Sequence, residues 1–287
     1  MNRRNFLGQS ALVTAGIMVM PQLMFAKTNQ KYGLQLFSLR EQLPKDVKGV
    51  IAKVAEAGYK QVETFGYSKE NDFWGLSAVE FKKLLGSNGL TTPSGHYGMD
   101  AFFKSGEINT IDDAIEAAKI LEQDYVVIPY ISPNLRQTAN DIKSLANWVN
   151  VAAKRVQNAG LKLSYHNHNF EFEPVEGLML MDELLKNTDP DLVDFEMDVY
   201  WVVRAGQDPV EWFNRYPGRF RLIHVKDMDK TDPKLNTEAG SGSIDYKTIF
   251  AQTKDEGVKY YIIEQENFKM DPYASIAQSN KYLREVL

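Results

Sequence analysis

The chain of 287 residues carries 33 basic against 38 acidic side chains, a formal net charge of −5, with four histidines and no cysteine. With no block of lysine and arginine, that balance argues against nucleic acid or an anionic membrane as the main partner. The lack of thiols excludes disulfides, thiolate metal ligands and a lipoprotein anchor.

The first element is an export segment. Arg3-Arg4-Asn5-Phe6-Leu7 is a twin-arginine pattern, followed by an uncharged stretch from Ala11 to Met20 and a cleavage point after Ala26. Residues 1–26 read as a signal peptide and residues 27–287 as one mature domain, delivered folded to the periplasm. The apolar stretch, broken by Gly16 and Pro21, is too short for a stable membrane span. The remainder is the size of a single barrel, typically about 250 residues.

Eight apolar, β-rich runs follow in chain order: Tyr32 to Ser38, Gln61 to Phe65, Leu90 to His96, Tyr125 to Tyr130, Leu161 to His168, Leu192 to Asp198, Phe220 to Lys226 and Val258 to Glu264. Helical periodicity separates them, as in Val47 to Ala57, Ile111 to Leu121, Ile142 to Asn158 and Tyr246 to Glu256. Gly58, Gly89, Gly160, Gly218 and Gly257 each stand where a left-handed helix cap would hand over to a strand. Strict alternation of strand and helix predicts a single (β/α)8 barrel. A doubly wound sheet fits less well, because Gln35-Leu36-Phe37-Ser38-Leu39-Arg40 has no glycine to cradle a phosphate. The polar stretch Asp227 to Ser243 reads as a long loop placed to act as a lid or substrate loop.

All four histidines, His96, His166, His168 and His224, fall at the downstream ends of these runs, where barrels assemble their chemistry. His166 and His168 face the same way by strand alternation, so one can be a ligand and the other its neighbour. Asp198, Glu264 and Lys226 close the sixth, eighth and seventh runs. A carboxylate buried in an apolar strand is costly unless paired or bound to metal. Histidines with Asp and Glu form a mixed nitrogen and oxygen set suited to one divalent ion such as Mn, Co, Zn or Mg.

The motifs Tyr165-His166-Asn167-His168-Asn169-Phe170-Glu171-Phe172, Asp198-Val199-Tyr200-Trp201, Leu222-Ile223-His224-Val225-Lys226-Asp227 and Ile262-Ile263-Glu264 resemble those of the xylose isomerase-like TIM-barrel superfamily. It includes sugar phosphate isomerases and epimerases, inosose dehydratases and endonuclease IV. The resemblance implies a single divalent ion held by His166, Asp198, His224 and Glu264. Many members carry Glu where His166 stands, and His where Trp201 stands. Of the two metal-bound glutamates with which ketose 3-epimerases work opposite faces of a sugar, this chain keeps only Glu264. The His-x-His arrangement resembles the dehydratase branch. The endonuclease branch needs a multi-metal cluster and a DNA-binding face that this chain does not supply.

A metal chelating a ketone oxygen and a neighbouring hydroxyl stabilises the enediolate left by deprotonation of the adjacent C–H. Reprotonation then gives isomerisation or epimerisation, and loss of a β-substituent gives elimination. Glu264 is the first candidate base, with His96, His168 and Lys226 able to deliver or accept the second proton. Gln35 and Glu63 are expected to hydrogen-bond sugar hydroxyls, while Phe37, Trp74 and Trp201 stack on a sugar's C–H face. The substrate expected is an unphosphorylated keto-sugar, keto-glycoside or keto-inositol, and the reaction a lyase or dehydratase step. An isomerase or epimerase is the alternative within enzymes, and a noncatalytic sugar-binding protein the alternative outside them.

If Arg3 and Arg4 form a twin-arginine signal, replacing both with Lys strands the protein in the cytoplasm with residues 1–26 uncleaved, which fractionation and mass spectrometry would read. Unchanged periplasmic delivery would point to the general secretory route.

Overall fold

The computed structural model describes residues 32–287; the expected signal peptide lies outside them. Its strands are β1 (Tyr32–Gln35), β2 (Gln61–Thr64), β3 (Thr91–His96), β4 (Tyr125–Ile128), β5 (Lys162–His166), β6 (Val193–Asp198) and β7 (Phe220–Val225), then a short hairpin of β8 (Asp227–Met228) and β9 (Asn236–Thr237), and finally β10 (Tyr260–Ile263). Eight of them close a ring in the order β1-β10-β7-β6-β5-β4-β3-β2, with every neighbour parallel. Helices run between them, among them Val47–Glu56, Ala78–Ser87, Asn109–Leu121, Ala139–Asn158 and Tyr246–Glu256. The predicted (β/α)8 barrel is therefore the observed fold. Among the described residues no helix is long and apolar enough to cross a membrane.

Local chemistry explains where elements begin and end. Ser77 with Glu80 and Thr138 with Asp141 form capping boxes that start two of the helices, each cap contributing about 1 kcal/mol. The five glycines expected as helix caps all have positive φ. The first strand stops at Gln35, three residues before the predicted Ser38, because the Gln35 side chain accepts the Phe37 N–H and turns Leu36–Leu39 into a 3-10 helix. The fifth stops at His166 rather than His168, whose backbone N–H is taken by the Glu171 carboxylate at 2.8 Å.

Side-chain alternation splits each strand between two environments. On β6, Val193, Phe195 and Met197 join the apolar layer beneath the helices, leaving Asp194, Glu196 and Asp198 to the barrel interior. A separate apolar cluster of Tyr125, Val127, Leu222, Tyr260 and Ile262 forms away from that layer. On β7 and β10 the next inward positions toward the downstream ends are His224 and Glu264, while on β4 it is Pro129. The interior thus changes from an apolar plug to a polar mouth within about two residues of rise.

The long loop after β7 is not a free lid. The buried Asp227 carboxylate accepts the backbone N–H groups of Met228, Gly240, Gly242 and Ile244 at 2.9 to 3.1 Å. Gly240 and Gly242 are required there, because a Cβ would run into the Tyr282 ring at the first and the Asp227 carboxylate at the second. Asn236 Oδ1 accepts from the backbone of Glu266 and Asn267, fastening the hairpin to the end of the eighth barrel strand. Charged hydrogen bonds contribute roughly 1.5–3 kcal/mol each and water replaces some of them on mutation, so Asp227→Ala should cost about 3 kcal/mol in urea unfolding and open residues 228–244 to protease. A loss below about 1 kcal/mol would mean that other contacts hold the loop.

Candidate active site

The four proposed ligands arise on four strands adjacent in the ring, β5, β6, β7 and β10. Asp198 pairs in register with His224, and Ile262 with the same histidine, so Glu264 stands one inward step further along. The result brings His166, Asp198, His224 and Glu264 together with one donor atom from each within 4.8 Å of the others. All four are buried. His166 Nε2 lies 3.9 Å from Asp198 Oδ2, and His224 Nδ1 lies 3.0 Å from Glu264 Oε2. Asp198 uses its other oxygen, Oδ1, to accept the Trp201 backbone N–H, which fixes the rotamer and starts the helix Val199–Arg204.

Below this set lie more ionisable groups. Glu196 Oε2 is 3.0 Å from His166 Nδ1, 2.8 Å from His96 Nε2 and 3.2 Å from His224 Nε2. Glu63 Oε2 is 2.7 Å from His224 Nε2, 3.0 Å from His96 Nε2 and 2.7 Å from Gln35 Nε2. A second combination of donors, His96, His166, Glu196 and His224, therefore also meets within 4.8 Å. Burial pushes carboxyls up, yet His96 and His224 hold Glu63 well below the ordinary range. Burial pushes imidazoles down, yet Glu63 and Glu196 lift His96 to about 9. His166 goes the other way: burial and the neighbouring His224 keep it neutral.

The Lys226 ammonium, itself buried, sits 3.1 Å from Asp198 Oδ2, 2.9 Å from Glu264 Oε2 and 2.7 Å from Glu266 Oε1. Against the burial that would raise Glu264, Lys226 and His224 hold it low. Glu63 Oε1 and Glu196 Oε1 are buried with no hydrogen-bond partner, and Asp198 Oδ2 accepts no well-directed hydrogen bond. Asp198 and Glu264 face one ammonium, Glu63 and Glu196 face imidazoles, and these buried carboxylates together offer anionic capacity that a divalent cation could fit; two imidazoles with two carboxylates suit the harder and borderline metals.

A cavity of about 450 Å³ opens above. His96, His166, His168, Lys226, Glu264 and Glu266 form its polar side, while Phe37, Phe65, Tyr67, Tyr130 and Trp201 form an aromatic wall. His168 stacks on Phe170 at 5.6 Å and meets Tyr130 and Trp201 at 5.5 and 5.4 Å. Burial and the Lys226 charge hold its pKa down to about 3, so it is neutral, and its Nδ1 has no partner. Trp201 Nε1 is likewise unpartnered. A larger hollow of about 770 Å³ lies at the opposite, upstream end of the barrel. Tyr125 pairs there with Asp194 at 2.8 Å, and none of the four histidines lines it.

Nine of the residues singled out in the sequence thus gather at the mouth: His96, His166, His168, Asp198, His224, Lys226, Glu264, Phe37 and Trp201. Gln35 and Glu63 do not line the cavity; both are fully buried and bonded to each other beneath it, so the expected contact with sugar hydroxyls gives way to a role in holding His224. Trp74 also stays outside the cavity wall, packed at 5.1 Å on Phe65 and 5.7 Å on Phe81. Glu196, Glu266, Phe65, Tyr67 and Tyr130 were not anticipated. The same-face rule that paired His166 with His168 would also have paired Glu196 with Asp198 and Glu266 with Glu264.

Residues 51–286 match the family model described as xylose isomerase-like TIM barrel. A solved sugar phosphate isomerase/epimerase from Parabacteroides distasonis superposes with a TM-score of 0.80 at 29% identity, over 91% of this chain and 95% of that one. An inosose dehydratase of Lacticaseibacillus casei is 29% identical over 165 residues, which are 51% of this chain and 55% of the relative, so the match spans about half of that enzyme's length. A structure solved with a bound zinc atom shares the fold at a TM-score of 0.71 and 15% identity, over 90% of this chain and 98% of that one.

If His166, Asp198, His224 and Glu264 share one divalent cation, the purified protein should bind about one equivalent, and Asp198→Ala should lose it together with activity. Stoichiometric metal retained by both Asp198→Ala and His224→Ala, measured by elemental analysis, would sink the assignment.

Proposed function

This chain belongs to the xylose isomerase-like TIM-barrel family, and we propose that within it the protein is a divalent-cation-dependent carbohydrate lyase or dehydratase. It would remove a proton beside the ketone of a keto-sugar and expel the substituent one carbon further on. One observation carries the choice of elimination over two-base epimerisation. Among the described residues the only carboxylates on the cavity wall, Glu264 and Glu266, come from the end of a single strand, while the other ionisable wall residues include His96, His166, His168 and Lys226. An epimerase of the two-glutamate kind needs a second carboxylate facing the other side of the sugar, where this chain has an imidazole. The inosose dehydratase relatives support the same reading.

A divalent cation on His166, Asp198, His224 and Glu264 would polarise the ketone and stabilise the charge that develops there. The chain's own residues then divide the proton work. Glu264, kept ionised by Lys226, accepts the proton from the activated carbon; Lys226, in contact with both Glu264 and Glu266, balances the charge as it moves. His96, three strands round the ring from Glu264, protonates the departing oxygen. Neutral His168 and Trp201 Nε1 offer hydrogen bonds to substrate hydroxyls or oxygens, and the aromatic wall excludes water and stacks on apolar faces.

The substrate is unphosphorylated. Among the described residues Lys226 is the only lysine or arginine on the cavity wall, and three carboxylates already surround it, so a phosphate there would meet Glu264 and Glu266 beside an ammonium already paired. An uncharged 3-keto-glycoside suits this wall, with the acidified proton at C2 and the aglycone at C1 as leaving group. It also suits a periplasmic enzyme, the location that Arg3 and Arg4 suggest.

Incubation of the metal-loaded protein with 3-keto-glucosides in D2O should release free aglycone and an unsaturated keto-sugar. Clean epimer carrying deuterium at one carbon, with no aglycone released, would count against elimination and leave an epimerase.

A further inference from the structure

We infer that Glu63 and Glu196, joined through His96, are positioning residues that decide which nitrogen of His224 and of His166 is left free for a cation. The inference rests on the metal-dependent reading above and extends it to groups that touch neither cation nor substrate. Both carboxylates are wholly buried and absent from the cavity wall.

The two imidazoles are held alike. His166 turns Nδ1 to Glu196 at 3.0 Å and Nε2 toward Asp198. His224 turns Nε2 to Glu63 at 2.7 Å and Nδ1 toward Glu264. A neutral imidazole has one N–H and one lone pair, so donating the N–H to the lower carboxylate places the lone pair among the upper donors. A carboxylate in that role also makes the imidazole a stronger ligand, and its loss typically costs 10- to 100-fold in metal affinity.

The lower carboxylates are themselves fixed. Gln35 Oε1 accepts the Phe37 N–H of the turn that ends β1, so its amide nitrogen must face Glu63, at 2.7 Å. His96 Nε2 lies between Glu63 and Glu196, 3.0 and 2.8 Å from them, and its ring stacks on His224 with an interplanar angle of 8°. Backbone turn, amide, carboxylate and imidazole thus form one chain of contacts from the rim of β1 to the ligand on β7. The competing arrangement puts a cation lower, on His96, His166, Glu196 and His224, and makes Glu196 a ligand.

Stoichiometry and affinity separate the two. Cobalt(II) would be titrated into the metal-stripped protein, wild type and the Glu63→Gln and Glu196→Gln variants, following heat and the visible absorption of the bound ion. The inference expects one equivalent in all three, with Kd raised about 10- to 100-fold in each variant while the metal-free melting temperature moves little. Unchanged Kd in both variants overturns it. So do two equivalents in the wild type with one lost in Glu196→Gln, which would make Glu196 a ligand. Wild type that binds no cobalt overturns the proposed function as well, a result distinct from wild-type binding that the variants share. Should one variant not fold, the other decides, since Glu63 is hydrogen-bonded to His224 and Glu196 to His166.

Discussion

Buried negative charge at the barrel mouth is the constraint on which the rest depends. Glu63, Glu196, Asp198 and Glu264 stand in positions that barrels usually fill with branched aliphatics. Each ionised carboxylate taken out of water costs several kcal/mol even after relaxation, so the site is tolerable only with matching positive charge close by. Lys226 supplies one unit, and the imidazoles can supply more by holding protons. A cation with two charges would release them from that duty. The same carboxylates therefore favour protonated imidazoles without a metal and could bind one in their place.

The fold is arranged to keep that charge effective. The apolar plug of Tyr125, Val127, Leu222, Tyr260 and Ile262 lies on the same strands and keeps polarisable solvent away from one side. On the other side the aromatic wall narrows the cavity. In such surroundings charge–charge attraction is several-fold stronger than in water. It explains how Lys226 can hold Glu264 ionised against burial, and add to the burial that keeps His168 neutral, giving neighbouring groups opposite tendencies toward protons.

Much of this was legible from the chain. Eight apolar runs with glycine-marked returns led to the closed barrel, and period-two alternation with the family motifs led to four donors that do meet. What remained hidden was height. A strand's end is not a fixed level, because barrel strands tilt: the register from Gln35 runs to Glu63, then to Ser94, then to Tyr125, a member of the apolar plug. Gln35 and Glu63 looked like rim residues for that reason and are buried under the histidines instead. Glu196 was hidden differently: alternation puts it on the same face as Asp198, but gives no sign that three imidazoles converge on it. Trp74 stands at φ +52° in a turn that folds it onto Phe65 and Phe81, a path that composition does not encode.

The clamp at Asp227 reaches further than the loop it ties. Successive residues at a strand end face opposite sides, so anchoring the Asp227 side chain outside the barrel compels Lys226 to face inside, and Tyr246, donating its hydroxyl to the Lys226 carbonyl, fixes the same peptide. A slip of one residue would exchange the ammonium for a carboxylate. This side of the mouth therefore has little freedom to evolve. New substrates would be accommodated from the opposite side, where Phe37, Phe65, Tyr67 and Tyr130 line the wall. Of the proposed proton carriers only His96 stands on that aromatic side, so the wall around it is the part of the rim with room to drift.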